Sequence, residues 1–280
     1  VAGQAEIPTD AIANSAFYER AGERFAATEL TRGPWDGAAQ HAGPPAALLG
    51  RAIERVKGIG ASPGERVVAR VTFEILGPVP IGVLRAEARI ARPGRRIDMV
   101  EATLSDADER PLMRARAWRL LRSEVALPGG IKARDRVQPP PPTSLAPATD
   151  FFPTGFDVGY HTAMEYRFAA GSFLEPGPGV VWMRMRQPLV DDEEPSPLQR
   201  VLAAADSGNG ISAALDYHRW IFVNVDLTVH LSRMPAGEWV CLDAVTVAEP
   251  TGVGLTDTVL FDEGGPIGLA AQTLLVAERE

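Results

Sequence analysis

The 280-residue sequence has one cysteine, four histidines and an excess of acidic over basic residues. The lone cysteine, Cys241, excludes an internal disulfide framework. Its neighbours Trp239, Val240 and Leu242 read as a strand, so it is expected to be a buried structural thiol rather than a nucleophile. The histidines, His41, His161, His218 and His230, show neither H-x-x-x-H nor Cys/His spacing, and no metal site is indicated. No apolar run approaches about 18 residues, so no membrane span is expected. Val1–Asp10 lack the basic start and apolar stretch of a signal peptide, which makes a reducing, cytoplasmic setting the expectation. With 28 Lys and Arg against 36 Asp and Glu, the net charge of −8 argues against nucleic acid as a partner, because phosphate binding wants a basic face. G-x-G-x-x-G, P-loop and G-x-S-x-G sequences are all missing, which removes the common nucleotide and hydrolase fingerprints.

What is present is a normal core-forming balance, 45% hydrophobic and 23% charged, on a chain longer than a typical single domain. Four consecutive prolines, Pro139–Pro142, cannot donate backbone hydrogen bonds and favour an extended path. They mark a connection, dividing the chain into an N-terminal half (1–124), a Pro-rich linker (125–150) and a C-terminal half (151–280).

The halves repeat one order of elements. In the first, the Pro-started helix Pro44–Val56 precedes strands at Arg66–Leu76, Val83–Ala91, Ile97–Asp106 and Leu112–Leu121. In the second, a helix at Ser196–Asp206 precedes strands at Ile221–Leu231, Glu238–Ala248, Gly254–Asp262 and Ile267–Ala277. Pro80 and Pro235 lie 155 residues apart, Asp106 and Asp262 156, Pro111 and Pro266 155. Strand alternation places the odd-numbered aliphatics (Val71, Phe73, Ile75; Val225, Leu227, Val229) on the buried face of each helix-following strand, which requires an even shift and selects 156. One helix followed by four antiparallel strands means a curved sheet wrapped on a central helix, an α+β fold in two copies. A lone half would leave a sheet edge open, so the halves are expected to pair.

The segments TRGPWDGAAQHAGPPAALLGRAIE in the first half, and AAADSGNG, FVNVDLTVHL, GEWVCLDA and GPIGLAAQTLLV in the second, resemble the TesB-type acyl-CoA thioesterases, especially actinobacterial thioesterase-like relatives with an HGGPPAAL-like helix start. The resemblance runs from about Phe17 to Val276. It implies a double hotdog fold and hydrolysis of acyl-CoA to free acid and CoA. It further implies that an Asp, a Ser or Thr and a Gln of the second half hold the attacking water. Asp206 and Gln272 match two of these, whereas the hydroxyl position, two residues before Asp226, is Asn224. Association of exposed sheet faces into a homodimer is a further expectation from this resemblance.

The residues support the chemistry on their own terms. Asp206 ends an otherwise apolar helix, at the unfavourable end of its dipole, where a carboxylate is a better proton acceptor; it is equally an ordinary turn opener in DSGNG. Asn224, Asp226, Thr228 and His230 alternate with aliphatics and are expected on one strand face, either solvated or functional. Gln272 lies in a segment too apolar to be free surface, so its amide needs partners. The catalytic candidates are therefore Asp206 as general base with Asn224 and Gln272 positioning the water. Gly43, His41 and Asp226 are the candidates for holding the substrate and the carbonyl oxyanion. Pro44 and Pro45 have no N–H, leaving Gly43 and then Ala46 or Ala47 as donors at the first helix start. With the 156 shift, Asp206, Asn224 and Gln272 map to Gly50, Val68 and Arg116, so one site per chain is expected. No cofactor is required. Two alternatives remain open: a non-catalytic acyl-CoA-binding hotdog protein, kept alive by Asn224, and an enoyl-thioester hydratase, disfavoured because no Asn-Pro dipeptide of a D-x-x-N-P-x-H-like segment occurs.

Overall fold

The computed structural model describes residues 15–58, 65–129 and 136–279. Val1–Asp10 and residues 130–135 of the Pro-rich connection lie outside the described residues.

The first half runs β1 (Tyr18–Ala21), β2 (Arg24–Ala27), α1 (Gly43–Arg55), β3 (Arg66–Ile75), β4 (Val83–Arg92), β5 (Ile97–Ser105) and β6 (Pro111–Leu121). The second runs α2 (Tyr160–Ala163), β7 (Met164–Ala170), β8 (Gly179–Met185), α3 (Pro197–Ala205), α4 (Gly208–Ile211), β9 (Trp220–Asn224), β10 (Asp226–Leu231), β11 (Val240–Ala248), β12 (Val253–Asp262) and β13 (Gly265–Glu278). Local chemistry fixes the helix starts. α1 opens on Pro44 and Pro45, whose missing N–H groups cost nothing in a first turn. α3 opens on Ser196, whose hydroxyl accepts the Gln199 N–H, with Pro197 next.

The strands join one antiparallel sheet in the order β1-β2-β4-β5-β6-β3-β10-β13-β12-β11-β8-β7, with β9 pairing to β13 off this path. Read outward from the centre, the two halves have the same order, which makes the molecule a tandem hotdog, as expected. β3 and β10 form the seam, with Thr72 opposite Thr228 and their hydroxyls 3.1 Å apart. These two residues are 156 apart, so a pseudo-two-fold axis passes between them.

The helices pack on the concave face of the sheet through Leu48, Leu49 and Ile53 of α1 and Leu198, Val201 and Leu202 of α3. They also pack on each other at two glycines a double turn apart. A Cβ on Gly43 would stand 2.3 Å from the Ala203 carbonyl oxygen, and one on Gly50 2.4 Å from Leu202 Cδ1. At Gly43 the obstacle is backbone, so only a residue without a side chain permits the approach, whereas at Gly50 it is the end of a flexible side chain.

Two details differ from the sequence reading, and both matter for the site. First, the alternation along Ile221–Leu231 is broken at Val225, which separates β9 from β10. Asn224 pairs with Leu274 and Thr228 with Ala271, so four steps along one strand oppose three along the other. The extra residue is a β-bulge, and it reverses parity. Val225 is 46% exposed instead of buried. Asn224 consequently faces inward beside buried Leu274, while Asp226, Thr228 and His230 face outward on the opposite side from buried Leu227 and Val229. The four polar residues do not share a face. The first half carries the same irregularity: Val68 pairs with Arg119 and Arg70 with Trp118, two steps against one, and Val68 rather than Val67 or Ala69 is buried.

Second, Thr72 pairs with Arg116 and Thr228 with Ala271, so the shift in the last strand is 155. The counterpart of Gln272 is therefore the buried Ala117, not Arg116.

Candidate active site

Asp206 caps α3 with near-helical dihedrals, φ −66° and ψ −17°, and is 4% exposed. Three side chains from three other elements converge on it. Asn224 Nδ2 donates to Asp206 Oδ1 over 2.6 Å. Gln272 Nε2 donates to the Asp206 carbonyl over 3.1 Å and reaches Oδ1 at 3.4 Å, while its Oε1 accepts the Asn209 N–H over 3.1 Å. The amide predicted to need partners thus has them on both sides. From the first half, His41 Nδ1 stands 3.1 Å from Asp206 Oδ2. No arginine or lysine pairs with Asp206 among the described residues, so its charge is met by neutral donors alone.

His41 Nδ1 has two competing neighbours, because it also accepts the Gly43 N–H over 3.1 Å. Without a proton Nδ1 serves Gly43; with one it donates to Asp206, and the Gly43 N–H loses its acceptor. Burial pushes the His41 pKa down, partly offset by the nearby Asp206 charge, so the ring is neutral at pH 7 and the choice is one of tautomer. The Gly43 N–H is the donor at the helix start. That of Ala46 is already bound to the Ala42 carbonyl, which removes it from the expected pair.

Asp226 is not part of this convergence. Its carboxylate accepts the Thr273 backbone N–H over 2.6 Å, beside the bulge.

Sequence reasoning missed the supporting residues. Tyr160, at the start of α2, stacks on His41 with ring centroids 3.8 Å apart and planes at 10°. Its hydroxyl donates to the Ala203 carbonyl over 2.7 Å and lies 3.1 Å from Ser207 Oγ. Burial and the Asp206 charge raise the Tyr160 pKa, so it stays a donor. Gly208 lets α4 sit against the sheet, since a Cβ there would come within 2.7 Å of Thr258 Oγ1 and 2.9 Å of Gln272 Oε1. The glycines of DSGNG were visible as turn residues, but nothing in the local sequence ties Tyr160 to His41.

A buried carboxylate, two amides and an imidazole are thus brought together on a double hotdog scaffold. Comparison with known proteins gives the family. Residues 31–120 match the model of the acyl-CoA thioesterase N-terminal domain, and residues 132–276 that of the C-terminal domain. The chain belongs to the acyl-CoA thioesterase family and is a thioester hydrolase. Similar solved structures include a Thermobifida fusca protein (TM-score 0.69, 18% identity, covering 98% of this chain and 100% of that one). Others are a hot dog fold protein of unknown function from Alicyclobacillus acidocaldarius (0.66, 15%, 98% and 99%) and acyl-CoA thioesterase II TesB2 from Mycobacterium marinum (0.63, 16%, 94% and 96%). No curated protein sequence matches the chain. No helix among the described residues is long and apolar enough to cross a membrane.

Proposed function

We propose that Asp206, Asn224 and Gln272 seat a water that attacks the acyl-CoA carbonyl directly, without a covalent enzyme intermediate. The observation that carries this is the convergence of Asn224, Gln272 and His41 on one buried carboxylate. Asp206 takes a proton from the water as its oxygen bonds to the carbonyl carbon. The C–S bond then breaks, and the proton passes from Asp206 to the departing CoA thiolate. An amide at position 224 can do what a hydroxyl does: Nδ2 donates to Asp206 while Oδ1 is left to accept from water.

The oxyanion is met at the start of α1. With its proton on Nδ1, His41 donates to Asp206 and leaves the Gly43 N–H, at the positive end of the helix, for the carbonyl oxygen. The first half thus supplies the electrophilic side of the site and the second half the water. In this reading the chain divides into halves 1–124 and 151–280 joined by 125–150. The free, buried Cys241 accords with a reducing, cytoplasmic setting.

The test is thiol release from acyl-CoAs of several chain lengths. Asp206→Asn is expected to lower kcat roughly 100- to 10,000-fold, the usual worth of a general base. Unchanged hydrolysis would remove Asp206 as the base. Tight acyl-CoA binding with no turnover by the native protein would favour a binding role instead.

A homodimer is proposed from the outer face of the second-half sheet. Val223, Val225, Val245, Val247, Val253, Leu255, Leu269 and Leu275 are each 41–53% exposed there. Cross-strand pairing makes them contiguous: Leu275 lies beside Val223 and Val253, and Leu255 beside Val247. Contiguous exposed apolar patches of this kind are uncommon on monomers and mark contact surfaces. An exposed valine and leucine patch can meet the same patch of a second copy, which suits a two-fold contact.

A further inference from the structure

We infer that Asp226 is a positioning residue: it locks the bulge that turns Asn224 toward Asp206. This rests on the reading of Asn224 as a water-holding group.

A strand that alternated without interruption would place Asn224 on the outer face, because Leu227 and Val229 point inward. The extra residue at Val225 is therefore what brings Asn224 into the site. An inserted residue disrupts the ladder, and the backbone groups beside it must find partners elsewhere. Two do so directly: the Val225 N–H donates to the Thr273 carbonyl over 3.0 Å, and the Val225 carbonyl accepts the Ile75 N–H over 2.9 Å across the seam. The remaining neighbour, the Thr273 N–H, is taken by Asp226 Oδ1 over 2.6 Å. A side-chain oxygen here stands in for a ladder carbonyl.

The first half supplies the contrast. Shifts of 156 and 155 relate Asp226 and Thr273 to Arg70 and Trp118, which pair directly in the ladder. The first-half bulge turns the apolar Val68 inward. The carboxylate occurs only where the bulge presents a polar group to the chemistry. Asp226 faces outward, so its contribution passes through backbone geometry rather than contact with substrate.

What Thr273 needs is an acceptor, not a charge. Asp226→Asn keeps an oxygen of the same reach, and Asp226→Ala removes it. With thiol release measured per folded enzyme well below the thermal transition, Asp226→Ala is expected to lower kcat about tenfold with KM within about threefold. Asp226→Asn should restore most of the rate. In an Asn224→Ala background, Asp226→Ala should cost nothing further, because the group it positions is already gone.

The outcomes separate the two readings. If Asn224→Ala alone leaves kcat unchanged, the water-holding role of Asn224 fails. If Asn224→Ala is slow but Asp226→Ala is not, the positioning role alone fails. Equal losses in Asp226→Asn and Asp226→Ala would show that the charge matters and overturn the bulge-lock account. So would full additivity with Asn224→Ala.

Discussion

The two halves are built alike down to a misplaced residue, yet they do different work. Both carry a one-residue bulge early in the helix-following strand. In the first half the residue it turns inward is Val68 and the facing position on the last strand is Ala117, both buried and apolar. In the second half the same places hold Asn224 and Gln272. The outer faces diverge in the opposite sense. The first-half sheet carries Arg70, Arg89, Arg114 and Arg116 with Glu74 and Glu101 around a polar groove of about 620 Å³, whereas the second-half face carries a run of exposed valines and leucines with Asp257 and His230 among them. The lesson is that a backbone irregularity sets where a side chain points, and residue choice at that point decides whether the result is core or catalyst.

The sharpest way to break the comparison is to give the second half the first half's residue. Asn224→Val is expected to lower kcat about 100-fold, about 2.7 kcal/mol of transition-state stabilisation. Its melting temperature should stay within a few degrees, because valine already occupies the equivalent bulge. A comparable loss of stability and rate would mean that Asn224 is structural.

Next comes the glycine pair on α1. Gly43→Ala forces a Cβ against the rigid carbonyl of Ala203 and is expected to cost about 1–3 kcal/mol as well as activity. Gly50→Ala meets only the end of the Leu202 side chain, which can move. Urea unfolding of the two variants should rank Gly43→Ala as the more damaging, and Gly50→Ala should keep its kcat.

The third effect is smaller and concerns His41, the first half's titrating contribution. Its folded pKa lies below the ordinary 6.5 because of burial. Above 6.5 the ring is neutral in folded and unfolded chains alike, and stability does not depend on it. As pH falls below 6.5 the unfolded chain takes up the proton first, so stability declines until the folded pKa is passed. His161 is depressed by burial as well and adds to the same window. The drop in melting temperature from pH 7 to pH 5 should therefore shrink in His41→Gln without vanishing. An unchanged drop would remove His41 as a contributor.

The smallest expected effect on turnover is at the outer faces. Leu275→Lys should convert a dimer to monomer in sedimentation experiments while leaving kcat within about twofold. Arg114→Gln on the first-half face should alter neither. A native protein that sediments as a monomer at micromolar concentration would dispose of the proposed contact.

Most of the fold was legible in the sequence because helix starts, strand runs and turn residues are local signals, and their repetition supplied the pairing of halves. Parity was the weak step. Reading Val225 as buried assumed unbroken alternation, whereas the bulge is held by Thr273, far along the chain. The shift of 156 was right for β3 and β10 but one too many for the last strand, which moved the counterpart of Gln272 from Arg116 to Ala117. In the site, Asp206, Gln272, Asn224, His41 and Gly43 come together, while Asp226 turns to the backbone of Thr273. Tyr160 and Ser207 were invisible because their roles depend on tertiary stacking and on contacts made by the Tyr160 hydroxyl.

The threonine pair at the seam has a consequence for how the chain folds. Thr72 and Thr228 meet across 156 residues, whereas β5–β6 and β12–β13 are joined by short turns within their own halves. Loop-closure cost grows only with the logarithm of length, so the seam costs about 1–2 kcal/mol more than a pairing of ~30 residues and is no thermodynamic obstacle. Its burden is kinetic, because contacts between distant segments form late. Each half should therefore collapse on its own helix first, and the carboxylate of one half should meet the imidazole of the other only when the seam closes. Recovery of thioesterase activity would then be the slowest signal in refolding, a clock for the final docking step.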